Sequence, residues 1–221
     1  MRTVRTASEL ERRPRAVAIG TFDGVHRGHR RVIELALESG PSPTVVTFDP
    51  HPRIALGYEV ELLRKLGLEV QPAPHVEGVS STEIRQLLRA GEIEEAARLL
   101  GRPPEVDGMV VSGDARGGTL GFPTANLATD PRLLVPGHGI YAGFAEGHRA
   151  AVSIGVNPQY GGQERKIEAF LLDFEGDLYG RRLIVELWKR LRDERAFPSE
   201  QDLVEQIARD VEATRTAQRP A

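Results

Sequence analysis

A chain of 221 residues with no cysteine and a formal net charge of −3 cannot build disulfides, thiolate metal sites or a cysteine nucleophile, and its interspersed charges form no basic stripe for nucleic acid. With 40% apolar and 28% charged residues it has the make-up of an ordinary globular protein, and no run approaches the ~18 consecutive apolar residues that a membrane span needs. Residues 1–15 carry five arginines but neither the apolar stretch nor the cleavage site of a secretory signal, so the expectation is a cytoplasmic protein with neither nucleic acid nor membrane as partner.

At ~150 residues per domain the length suggests two domains, and the elements, taken in order, give them different textures. Residues 16–20 form a short apolar run, residues 27–38 show helical spacing through Val32, Ile33, Leu35, Ala36 and Leu37, and residues 44–48 form a second apolar strand. These fifty residues read as a β-α-β unit with parallel pairing. A helix is expected at 59–66. Ser80 with Glu83 fits a capping box ahead of Ile84, Leu87 and Leu88, with Gly91 as the stop, and a further helix spans 92–100. Gly101, Pro103 and Pro104 break the pattern and mark the linker, dividing the chain into 1–101 and 102–221. Beyond it come short alternating segments at 108–112, 140–145, 150–154, 167–174 and 183–191, as in a small antiparallel barrel or sandwich. Ser199 caps a last helix, 200–216, with Leu203, Val204, Ile207, Ala208 and Val211 at helical spacing.

Four groups of residues carry chemistry. Thr124 and Asn126 lie two apart on an extended segment, so they face one side and offer two hard oxygens, a pair suited to Mg²⁺ on a nucleotide. Glu168, by period-2 alternation with Phe170, Leu172 and Phe174, is expected on the buried side of its strand. Desolvation would raise the pKa of such a carboxylate and suit it to general base duty, while a salt bridge with Arg192 or Lys166 would account for it equally. Gly113, Gly117, Gly118 and Gly121 allow a backbone loop to approach a phosphate, or simply to turn a hairpin, in a stretch that fits neither the Walker A nor the dinucleotide pattern. In the first half His26 and His29, three apart at a helix start, favour an anion such as a triphosphate; a metal pair or task-free histidines are the alternatives.

Together these segments resemble the bacterial bifunctional riboflavin kinase/FMN adenylyltransferase (FAD synthetase) family. The kinase-like half carries RGGTLGFPTANL at 116–127, PGHGIYA at 136–142, IGVNPQYGG at 154–162, IEAFLLDFEGDLYG at 167–180 and LRDERAF at 191–197. Gly118 stands where an arginine is common, and Gln159-Tyr160 replaces the usual threonine-phenylalanine. The resemblance implies an α/β plus all-β chain: a truncated Rossmann-like nucleotidyltransferase domain, then a riboflavin kinase β-barrel of roughly six strands closed by the C-terminal helix. It implies that Thr124 and Asn126 bind Mg²⁺ and ATP phosphate, that Gly113, Arg116, Gly117 and Gly121 cover the nucleotide, that Glu168 is the base on the ribityl 5′-hydroxyl, and that Arg192 lies near the flavin. GTFDGVHRGH at 20–29, TFDPHPR at 47–53 and VSSTEIR at 79–85 resemble the adenylyltransferase motifs, which implies ATP contacts from Gly20, Phe22, His26, His29, Ser80, Ser81 and Arg85. Between Arg53 and Val79 the family carries a much longer segment that helps hold FMN. The expected activity is ATP-dependent riboflavin kinase, with riboflavin, FMN, ATP and ADP as partners; the alternatives are a bifunctional enzyme that also makes FAD and a flavin-binding module without catalysis.

Overall fold

In the computed structural model the residues described are 9–11, 13–19, 25–46, 78–113, 118, 120–156 and 165–220. The chain divides into two compact units, Met1–Val79 and Ser80–Ala221.

The first unit holds β1 (Val17–Ile19), α1 (Arg27–Glu38) and β2 (Thr44–Val46). The two strands pair in parallel, Val17 opposite Thr44 and Ile19 opposite Val46, so the expected β-α-β crossover is present. Ala18 and Ala36 are its buried apolar residues among those described. The expected extension of β2 to residue 48, the motif at 47–53 and the helix at 59–66 lie outside the described residues.

The second unit opens with α2 (Ser81–Ala90) and α3 (Ile93–Leu100). Ser80 takes the N-cap position with extended backbone but its side chain makes no capping hydrogen bond, so the capping box expected with Glu83 does not form; Glu83 supplies only its charge to the first turn. Gly91 ends α2 at φ +80°, and a Cβ there would come within 2.8 Å of both the Tyr141 hydroxyl and the Arg190 side chain. The stop residue is thus also a packing joint. Gly137 donates its N–H to the Leu88 carbonyl at 2.9 Å, and fully buried Ile93 joins the barrel core. The chain therefore divides before these helices, at Val79/Ser80, rather than at the proline-bearing segment that follows them.

Six strands close a barrel: β3 (Glu105–Val111), β4 (Ala125–Thr129), β5 (Gly139–Ala145), β6 (His148–Val156), β7 (Arg165–Leu171) and β8 (Arg182–Arg192), in the order β3-β4-β7-β6-β5-β8. Every neighbouring pair is antiparallel. Closure removes free sheet edges, and the interior is filled by apolar side chains such as Val110, Tyr141, Val152, Ile154, Val185 and Leu187. Five of the strands follow the alternating segments; β4, only five residues long, falls in the PTANL stretch, where period 2 has too few positions to register.

The inner face of β7 carries Ile167, Ala169 and Leu171, all buried, while Glu168 and Phe170 are half-buried on the outer face. The expectation of a buried Glu168 is corrected. The strand ends at Leu171, and the following turn, with Asp173 at φ +56°, resets the phase; counting alternation through to Phe174 ran across a bend and chose the opposite side.

The last helix, α4 (Glu200–Thr216), starts where expected: Ser199 Oγ accepts the Asp202 N–H at 3.1 Å. It packs on β5 and β6. Its buried positions are Asp210 and Thr214, with Leu203 and Ile207 half-buried and Ala208 exposed, so the contact stripe is rotated from the purely apolar one. Arg149 donates to the carbonyls of Thr214 and Ala217 at 3.0 and 2.6 Å, satisfying the end of the helix. The tail is tied down further by Arg219, whose guanidinium, with the Trp188 indole N–H, holds the Glu186 carboxyl below the usual carboxylate range.

Candidate active site

Strand register assembles the site. Asn126 on β4 lies directly opposite Glu168 on β7, and Glu168 in turn lies opposite Ser153 on β6. Thr124, just before β4 begins, donates its hydroxyl to Glu168 Oε1 at 3.3 Å. Three residues separated by up to 44 positions thus meet on the outer face at one end of the barrel. A hydroxyl that gives its proton to a carboxylate keeps its lone pairs for another partner, and the Asn126 amide, almost completely buried, supplies a carbonyl oxygen beside it. Lys166 Nζ approaches the same Glu168 Oε1 at 3.4 Å, so of the two ion-pair partners considered Lys166 is the one found. The set of hydroxyl, amide and carboxylate oxygens is one that a hard divalent cation accepts. Among the described residues no cluster of three or more His, Cys, Asp or Glu offers an alternative metal site.

The glycines that flank the site have definite tasks. A Cβ on Gly113 would fall 2.2 Å from Asn126 Nδ2, so the absence of a side chain at 113 is what lets the Asn126 amide sit where it does. Gly121 turns at φ +84°, a left-handed conformation that glycine takes without steric penalty, and its N–H closes a turn on the Gly118 carbonyl at 3.2 Å. Next to it Phe122 meets Phe170 edge to face with ring centres 5.5 Å apart, fixing the end of this segment to the outer face of β7. Phe170, expected on the buried side with Glu168, packs on Phe122 at the outer face instead. Arg116 and Gly117 lie outside the described residues. On the other side of Thr124 a cleft at the barrel mouth is lined by Pro123, Ala125, Phe174, Leu178 and Tyr179.

Arg192 is placed differently. Register carries the rung from Glu168 through Ser153 and Ile140 to Arg192, three strands round the barrel. Its guanidinium grips Asp210 of α4 through Nε at 3.0 and 3.1 Å and Nη2 at 2.7 Å, and lies over the Phe197 ring at 5.6 Å. The arginine is thus committed to the helix, through an acid that the helical apolar pattern passes over. The chain after it swings back: the Glu194 carboxylate occupies the space beside Gly155, where a Cβ would meet it at 2.3 Å, and Gly155 is the register partner of Lys166.

Of the first-half residues, His26 is 8% exposed and caps α1, its Nδ1 accepting the N–H groups of Gly28 and His29 at 3.1 and 3.2 Å. The two imidazoles stack at 3.7 Å. They do come together, but with the backbone donors of the helix start already engaged by His26. Ser80, Ser81 and Arg85 sit at the N-terminal turns of α2, in the second unit, with Ser81 and Arg85 four apart and so on one helix face. Gly20 and Phe22 lie outside the described residues.

The riboflavin kinase family model matches residues 100–218, which cover the barrel and its C-terminal helix, and the FAD synthetase model matches residues 8–71, so the class is that of flavin-phosphorylating enzymes. The chain belongs to the bifunctional riboflavin kinase/FMN adenylyltransferase family. It is 30% identical to the Escherichia coli K12 protein of that description, covering 95% of this chain and 96% of the relative, and 29% identical to the Listeria monocytogenes one, covering 91% of each. These alignments run over 300 and 287 positions, more than this chain's 221 residues, so both relatives carry residues that it lacks. A solved Streptococcus pneumoniae structure, described as a macrolide-efflux protein, is similar at a TM-score of 0.79 and 28% identity over 96% of this chain and 97% of that one. Among the described residues of the present chain no helix is long and apolar enough to cross a membrane.

Proposed function

We propose that Thr124, Asn126 and Glu168 form the reacting centre at which this riboflavin kinase moves the γ-phosphoryl group of ATP to the 5′-hydroxyl of riboflavin, giving FMN and ADP. The observation that carries this is the meeting of the three side chains across β4 and β7, with Thr124 hydrogen-bonded to Glu168 and Asn126 in register with it. Glu168 takes the hydroxyl proton as the ribityl oxygen bonds to phosphorus and the bond to the bridging oxygen of ADP breaks. Its half-exposed setting leaves the carboxylate open to substrate. Thr124 Oγ1 and the Asn126 side-chain oxygen would hold Mg²⁺, which when bound neutralises charge on the phosphate oxygens. Gly113, Arg116, Gly117 and Gly121 would cover the triphosphate, and the cleft beside Thr124 would receive the rest of the nucleotide. The segment 192–197, returning from Arg192 toward Gly155, would bound the flavin. The protein would work in the cytoplasm on riboflavin and ATP.

The second reading is that FMN is also converted to FAD. The match to the FAD synthetase model over residues 8–71 favours it, with His26 and His29 of the first unit as ATP contacts. Chromatography of a reaction holding riboflavin, excess ATP and Mg²⁺ decides: FMN alone supports the kinase reading, FMN followed by FAD supports both activities, and flavin binding without ATP consumption rejects catalysis altogether.

A further inference from the structure

The Glu168 carboxylate is held asymmetrically. Both of its neighbours address one oxygen: Thr124 donates to Oε1 at 3.3 Å and Lys166 Nζ lies 3.4 Å from the same Oε1. Among the described residues Oε2 accepts no hydrogen bond. Lys166 and Glu168 are two apart on β7 and therefore share the outer face, and both side chains are about 30% exposed, 31% and 29%. A half-exposed ion pair contributes little to folding, but this one bears on orientation: with Oε1 held by both neighbours, Oε2 is the carboxylate oxygen left to accept a further hydrogen bond.

We infer that Lys166 is a positioning residue for phosphoryl transfer, pinning Oε1 of Glu168 so that Oε2 takes the proton of the acceptor hydroxyl; this rests on the assignment of Glu168 as the base. The proton moves from the ribityl 5′-oxygen to Oε2, the new bond forms between that oxygen and the γ-phosphorus, and ADP leaves with the electron pair of the broken bond. Lys166 neither gives nor takes a proton. Its ammonium acts by where it stands, and a longer cation on the same strand position can reach the same oxygen.

The test compares Lys166→Met, Lys166→Arg, Glu168→Gln and the Lys166→Met/Glu168→Gln double variant in full-length protein, by FMN formation and thermal melting. Lys166→Met should lower kcat about tenfold, within the roughly 10²-fold that a 1 Å misplacement of a reacting group costs, with the KM values for riboflavin and ATP little changed and the melting temperature unaltered. Lys166→Arg should recover most of the loss, and adding Lys166→Met to Glu168→Gln should cost less than about twofold more, because residues acting through one another are not additive. An unchanged kcat in Lys166→Met, a rise confined to the KM for ATP, a full further loss in the double variant, or a loss that follows a lowered melting temperature and is not rescued by arginine each overturns the inference. If Glu168→Gln itself turns over normally, it is the underlying base assignment that fails, a result separate from any of these.

Discussion

In the second unit the groups proposed to react are set by β-strand pairing, whereas in the first the two histidines are set by the cap of a single helix. Asn126 and Glu168 face each other because β4 and β7 pair in one register inside a closed barrel, and a slip of either strand by one residue would turn its member of the pair inward. His26 and His29 depend on α1 alone, and His26 uses its ring nitrogen to hold that helix start. The difference teaches that a motif can survive in two ways: as part of a rigid surface whose geometry is over-determined, or as a local cap whose residues serve the backbone as much as any ligand.

Substitutions sharpen that contrast. The largest effect is expected for Glu168→Gln, which should leave riboflavin binding nearly intact and cut FMN formation by ~10²-fold or more, the scale of a lost general base; fluorescence titration alongside turnover measures both. Next comes Gly113→Ala. Its Cβ would meet the Asn126 amide at 2.2 Å, so Asn126 must turn away, and a metal titration of FMN formation should show a Mg²⁺ requirement raised about tenfold, as when support of a metal ligand is lost; a wild-type curve would detach Asn126 from the metal. His26→Ala should do the opposite, removing a helix cap worth about 1 kcal/mol from the first unit while FMN formation stays within twofold of wild type. A large loss of FMN formation there would erase the distinction between the halves.

The smallest effect is on acid stability. Because Arg219 and Trp188 depress the Glu186 pKa in the folded protein, the ionised carboxylate stabilises the fold above the ordinary glutamate value of about 4.3, and that contribution disappears as pH falls through the lower folded value. Melting temperatures should therefore be flat near neutrality and fall on acidification below about pH 4, with Glu186→Gln showing a shallower fall. A fall of equal steepness in the variant would assign the acid sensitivity to other carboxylates.

Much of this was legible in the sequence because the responsible physics is local. The α1 and α4 spans follow from apolar spacing and, for α4, from Ser199, a hydroxyl that does cap its helix. Thr124 and Asn126 share a side because an extended chain repeats every two residues. Glu168 stands out by its company, but its face does not follow from the sequence, since the turn after Leu171 is invisible to a count of alternation. The partnership of Arg192 with Asp210 and of Phe122 with Phe170 could not be read in advance, because both depend on which elements the barrel brings together. Ser80 shows the converse: the pattern of a capping box was present, yet the serine side chain makes no capping bond.

The most direct measurement is a crystal structure of the protein with ADP, Mg²⁺ and FMN. The account predicts the cation bound by the Thr124 hydroxyl and the Asn126 carbonyl oxygen at roughly 2.1 Å, with Glu168 Oε2 within hydrogen-bonding reach of the ribityl oxygen that carries the phosphate. A cation held by other residues, or a phosphate ester out of reach of Glu168, would contradict it.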